Sequence, residues 1–193
     1  MKFIPSWLAA FPFAFCISAP CLAATYTITD LGTLGGGSSG VYGLNDIGQA
    51  TGALTVAQNV QHAFVYAGSV HDIGTLGYYS SVGVGINNSG WVTGQSFTIA
   101  LDVHAFLYDG TMHDLGTLGG TYSGGGAINN NGLVTGESST GFGFHAFLYD
   151  GSMHDLGTLG GTNSGGSDIK KLLASWKTRP PGHRRQSRPC SIG

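Results

Sequence analysis

Six histidines recur as three pairs: His62 and His71, His104 and His113, His145 and His154. The members of each pair stand nine positions apart, and an aspartate follows the second histidine each time, at Asp72, Asp114 and Asp155. Imidazole nitrogens and carboxylate oxygens are the ligand types of a zinc site, so metal binding is the chemistry these residues could do. A two-residue Asp109-Gly110 hairpin turn sets Tyr108 opposite Thr111, Phe106 opposite His113 and His104 opposite Leu115. His104 and His113 then share a face as diagonal neighbours, roughly 7–8 Å apart. Strand alternation points Asp114 away from that face, which weakens the ligand set. A residue that recurs with a repeat more often serves the repeat. The expectation is therefore a structural histidine bonded to a backbone carbonyl or to a neighbouring unit, with no metal and no cofactor.

Other chemistry is weaker still. The turns from Asn45 ("NDIGQ"), Asn87 ("NNSG") and Asn130 ("NNG") lack the carboxylate density and bidentate glutamate of a calcium loop. They read instead as positive-φ turns. "GTLGGG" and "GVGINN" are not phosphate loops, because neither a lysine nor a helix follows. Asn87 also heads a glycosylation acceptor pattern, a chance match in an Asn-rich chain. No Gly-x-Ser-x-Gly elbow is present. An enzyme with a channel active site, a hydrolase or lyase, needs polar residues peculiar to one unit, and none stands out. The expectation is a non-enzyme.

The elements that carry the histidines repeat. Asp30, Asp72, Asp114 and Asp155 are spaced 42, 42 and 41 residues apart, and His62, His104 and His145 are spaced 42 and 41. "HAFLYDGTMHDLGTLGGTYSGGG" from His104 matches "HAFLYDGSMHDLGTLGGTNSGGS" from His145 at 20 of 23 positions. The single deletion falls between Gly136 and His145, which marks that segment as a loop. Each unit reads as four short strands. In the second unit these are Val82–Ile86, Trp91–Ser96, His104–Tyr108 and Thr111–Leu115, joined by Asn/Gly and Asp-Gly turns. "GTLGG" leads into the next unit. About 42 residues and four antiparallel strands is the size of a propeller blade. The fold expected is all-β: propeller-like repeats of about 42 residues in an incomplete, open array. Its units are 30–71, 72–113, 114–154 and a partial 155–169, and its open strand edges allow oligomerisation.

Composition sets the compartment and the partners. Glycine numbers 34 and charged residues make up 9% of the 193 residues, against a usual ~25% charged. The net charge of −2 hides an asymmetry: Lys2 and the basic residues from Lys170 onward flank an acidic middle with no Lys or Arg. Such a surface repels phosphate and excludes nucleic acid. Residues 1–24 read as a signal peptide, with Lys2, a proline-broken apolar run and small residues before a cut after Ala23 or Ala24. A retained anchor and a lipidated Cys21 are the weaker readings, and no membrane span is expected after cleavage. The repeat body has no cysteine, as is common in exported bacterial proteins. At residue 170 the pattern stops, and 170–193 carry seven basic residues. A basic partner-binding tail and a disordered tail are possible readings. The abrupt change inside a unit fits better a reading-frame shift immediately after Ile169.

The tripeptide "HAF" at His62, His104 and His145, together with "LGTLGG" and the "IN-x-x-G-x-VTG" segment, resembles the HAF repeat family. The resemblance covers about Thr25 to Ile169. The first copy departs from it with "YAGSV" at Tyr66. The resemblance implies export and a β-repeat fold, and it carries no catalytic residue to transfer. The function expected is an extracellular or periplasmic binding or structural module, with saccharide and protein ligands both open. A truncated fragment of a longer propeller protein is the alternative.

Overall fold

The computed structural model describes residues 30, 36–57 and 60–169. The expected leader at 1–24, the tail at 170–193 and the frame shift after Ile169 lie outside the described residues. Apart from Asp30, everything described belongs to one unit that begins at Leu31.

The described chain is all-β, with no helix among the described residues. Its strands form three four-stranded antiparallel sheets. The first holds β1 (Ser39–Leu44), β2 (Ala50–Ala57), β3 (Val60–Tyr66) and β4 (Val70–Asp72). The second holds β5 (Gly77–Ile86), β6 (Val92–Thr98), β7 (Val103–Tyr108) and β8 (Met112–Asp114). The third holds β9 (Ser123–Ile128), β10 (Val134–Ser139), β11 (Phe144–Tyr149) and β12 (Met153–Asp155). In each sheet the strands lie side by side in chain order. The one-residue deletion sits in a loop: Phe97 pairs with Val103 across residues 98–102, whereas Ser139 pairs with Phe144 across residues 140–143.

Burial follows position in the sheet. The second strands, β2, β6 and β10, lie between two strands of their own sheet and are buried over their first three residues. The fourth strands, of three residues each, are largely exposed. Two cores separate the sheets, and they are copies of one another. The first is Ala63, Ile73, Ile86, Val92 and Phe106; the second is Ala105, Leu115, Ile128, Val134 and Phe147. Each takes an alanine from the third strand of one sheet, the aliphatic residue directly after that sheet's fourth strand, and three apolar side chains from the next sheet. Tertiary packing therefore obeys the same period as the sequence.

Hydroxyls stitch the sheets where the ladder breaks. After β4 the chain turns at Gly74, whose φ of +73° is the left-handed conformation that glycine adopts without a Cβ penalty. That turn withdraws the Gly74 carbonyl from the Ala63 N–H. Ser81 of the next sheet inserts its Oγ between them, accepting from Ala63 N at 2.8 Å and donating to the Gly74 carbonyl at 2.5 Å. Ser123 and Ser164 repeat the bridge to Ala105 and Ala146. The main-chain groups stay satisfied, as buried groups must.

Candidate functional site

The hairpin before each joint has a three-residue loop, not the two-residue turn expected from Asp-Gly. Tyr108 pairs with Met112, Leu107 with His113 and Phe106 with Asp114. A main-chain bond from Asp109 N to the Thr111 carbonyl, at 3.3 Å, draws Thr111 into the loop. This one-residue slip reverses every side chain on β8. His104 and His113 therefore do not share a face, and the same register separates His62 from His71 and His145 from His154.

What the slip does bring together is a histidine and an aspartate. His62 Nδ1 donates to Asp72 at 2.8 Å, His104 Nδ1 to Asp114 at 2.8 Å and His145 Nδ1 to Asp155 at 2.9 Å. The same carboxylates accept the N–H of Gly74, Gly116 and Gly157 at 2.7–2.8 Å. Each His–Asp clasp thus ties the third strand to the left-handed turn of the joint. The second histidines bond locally. His71 Nε2 meets Ser69 Oγ at 3.0 Å, His113 Nε2 donates to Asp109 at 2.9 Å and His154 Nε2 to Asp150 at 2.8 Å. Among the described residues no group of three or more His, Cys, Asp or Glu is placed to hold a metal ion.

The clasp leaves an electrostatic trace at Asp155. The hydrogen bond from His145, then the Gly157 N–H, holds its carboxyl below the ordinary aspartate value of 3.8. A depressed carboxyl stabilises the fold fully above the pKa of the unfolded aspartate, and that contribution is lost as the pH falls through the lower folded value. The pair is substantially exposed, so the effect is at most about 1 kcal/mol. An NMR titration of the side-chain carboxyl is expected to place the Asp155 midpoint below that of an unstructured aspartate. His145→Ala is expected to raise it. A midpoint indifferent to that substitution rules out the clasp.

A second set of recurring polar residues is built into the turns between first and second strands. Asn45, Asn87 and Asn129 are buried. Asn87 Oδ1 accepts the N–H groups of Ser89 and Trp91 at 2.9 and 3.0 Å, closing its own turn. Its Nδ2 reaches the Asn129 carbonyl of the next unit at 3.0 Å, as Asn45 Nδ2 reaches the Asn87 carbonyl at 2.8 Å. A parallel outer rung runs from Asp46 N to Asn88 Oδ1 and from Asn88 N to Asn130 Oδ1, at 3.1 and 2.9 Å. Asn129 ends the inner ladder, and its buried Nδ2 has no partner among the described residues. These amides, with Ile86, Ile128 and Asp168, line a cavity of about 690 Å³. The positive φ expected of these turns falls on Gly48, Gly90 and Gly132, not on the asparagines.

The ladder is expected to matter for stability. Asn87→Ala strips three hydrogen bonds and leaves the Asn129 carbonyl facing a void, at a cost of about 2 kcal/mol. Asn130→Ala, on the exposed rung, is expected to cost under ~1 kcal/mol. Urea unfolding compares the two, and equal losses would contradict the ladder.

The histidine pairs were visible as a spacing, but the His–Asp clasp was not, because the register hid it. The Asn ladder needs units 42 residues apart to stack in phase. An asparagine at the same point of every unit, directly after an aliphatic residue (Leu44, Ile86, Ile128), was its available signal.

Comparison of the chain with family models, with curated proteins and with solved structures finds no match.

Proposed function

We propose that the chain is an exported, non-enzymatic repeat protein of the HAF type, serving as a surface or periplasmic binding or structural module. The observation that carries this reading is where the recurring polar residues spend their hydrogen bonds. Thr51, Thr93 and Thr135 donate to the carbonyls of Phe64, Phe106 and Phe147 at 2.7–2.8 Å. The serines, asparagines and His–Asp clasps are likewise bonded to the scaffold. Their recurrence is explained by architecture, which leaves the faces of the units for binding.

Its sheets are blades of a propeller-like, open array in this proposal. Two features support that arrangement. The first strands meet in succession, β1 against β5 and β5 against β9, while the short fourth strands lie exposed. Among the described residues no further sheet covers the last joint. Ile73 and Leu115 are 8% and 7% exposed under the following sheet, but their counterpart Leu156 is 59% exposed.

The test is expression of the full chain in a bacterial host, followed by fractionation and N-terminal sequencing. A product in the periplasm or medium beginning at Ala24 or Thr25 is expected. An intact Met1 terminus confined to the cytoplasm overturns the export reading.

A further inference from the structure

Three polar residues do not follow the repeat. Gln95 and Glu137 occupy one repeat position, where the first unit has Ala53. Tyr122 stands where the other units have Ser38, Ser80 and Asn163, and Glu137 is the only glutamate in the chain. The fold brings all three to one groove of about 520 Å³ that crosses the first strands of successive units. Tyr122 Oη donates to Gln95 Oε1 at 2.8 Å. Burial, followed by the Glu137 charge, raises the Tyr122 phenol above its ordinary value, so it stays a neutral donor.

The floor of the groove is glycine backbone, and packing accounts for only part of it. A Cβ on Gly125 would stand 2.1 Å from Thr93 Oγ1, one on Gly166 would stand 2.1 Å from Thr135 Oγ1, and one on Gly126 would stand 2.5 Å from the Gly166 carbonyl. Those three must be glycine. The atoms nearest a Cβ on Gly124 would be the tips of Tyr122 and Gln95, at 3.0 and 3.2 Å, and one on Gly165 would lie 3.4 Å from Glu137 Oε2. The second unit carries Val82 at that same position without harm to its sheet. Glycine inside a strand marks a bulge, a tight bend or the close approach of another group, and at Gly124, in β9, the nearest obstacles are side-chain tips. The volume lies within the ~300–1,000 Å³ of small-ligand sites.

The chemistry narrows the ligand. Glu137 accepts hydrogen bonds and donates none when ionised, and the Gln95 amide nitrogen donates. No Lys or Arg lies between Asp30 and Ile169 to hold an anion. A pair of neighbouring hydroxyls offers two donors to one carboxylate, together with oxygens for the amide. We propose that this groove binds a neutral saccharide, with Glu137 accepting from two sugar hydroxyls, Gln95 donating to a sugar oxygen, and the ring lying on the backbone at Gly124 and Gly165. The proposal rests on the reading of the chain as a binding module and gives that module its site.

The test uses the full mature chain with maltose, cellobiose and N,N′-diacetylchitobiose as probes, followed by saturation-transfer NMR and calorimetry. Saturable binding of at least one sugar is expected, weakened tenfold or more by Glu137→Gln and by Gly124→Val. Phe142→Ala, on an exposed loop, is expected to leave it unchanged. Circular dichroism checks that Gly124→Val folds, and Glu137→Gln decides alone if it does not. No saturable binding of any of the three sugars overturns the proposal, as does binding of putrescine in their place. Sugar binding that survives both substitutions removes this groove but leaves the binding-module reading standing. A cytoplasmic, uncleaved product removes the export reading while groove binding is still measured on the purified chain.

Discussion

Phe106→Ala is expected to lower the unfolding free energy by about 3–5 kcal/mol, the usual cost of emptying a buried phenylalanine site. Phe106 has no exposed surface and packs with Ala63, Ile73, Ile86 and Val92 between the first and second sheets. The neighbours are short of volume to refill the space: one is alanine, and the residue paired with Phe106 on β6 is Gly94. The cavity therefore stays open, which sets the loss toward the upper end of the range. Its consequence is also directional. In a stack of units, stability is close to a sum of unit terms and nearest-neighbour interfaces. Phe106 serves the interface of the first sheet, whereas Phe147 serves that between the second and third. Hydrogen exchange in Phe106→Ala should accelerate first in β1–β4, and in Phe147→Ala first in β9–β12. Phe142→Ala, at 96% exposure, is the control and is expected to change stability by less than ~0.5 kcal/mol. Uniform acceleration across all three sheets in both core variants would contradict the nearest-neighbour account.

That both cores can be named by one set of positions reflects how much of the fold was legible in the sequence. The period gave the units, alternation and turn residues gave four strands in each, and the deletion marked a loop. Register was less legible. Asp109-Gly110 is a strong two-residue turn signal, yet Thr111 joins the loop, and nothing local to the hairpin announces it. In this register the aliphatic residue after Asp114, Leu115, is buried in the second core, and His113 is exposed. A side chain's face depends on a count of one, so an error of one residue exchanged the histidine for the aspartate as the partner of His104. The groove was missed for a different reason. Comparing units rewards the residues they share, and Gln95, Tyr122 and Glu137 are the ones they do not. The lone glutamate was the one visible cue, and only the stacking of first strands shows that it stands over bare backbone.

Gly94→Ala is expected to destabilise by at least about 3 kcal/mol, beyond the ordinary range for an added methyl group in a core. An added Cβ would sit 1.9 Å from the Val82 carbonyl oxygen and 3.1 Å from the Gly83 Cα. Both are main-chain atoms of β5, the strand paired with β6 through Val82–Gln95 and Gly83–Gly94. A side chain could rotate away, but a carbonyl held in a ladder cannot move without breaking the ladder. The register shift between Gly83 and Gly85 marks a bulge directly beside this close approach. Gly52 and Gly136 face the same obstacle, at 1.8 Å from the Gly40 carbonyl and 1.9 Å from the Gly124 carbonyl. The glycine of "VTG" and "ATG" is thus a steric requirement of the bulged pair, present once in each sheet. Gly37→Ala provides the contrast, because nothing lies within 4 Å of its added Cβ and its φ is not positive. That substitution is expected to be neutral or to stabilise by up to about 1 kcal/mol through the unfolded state. Thermal and urea unfolding of the two variants decides the matter. A Gly94→Ala protein as stable as the parent would show that β5 can leave β6 at the bulge without cost, and the repeated glycine would then need another cause.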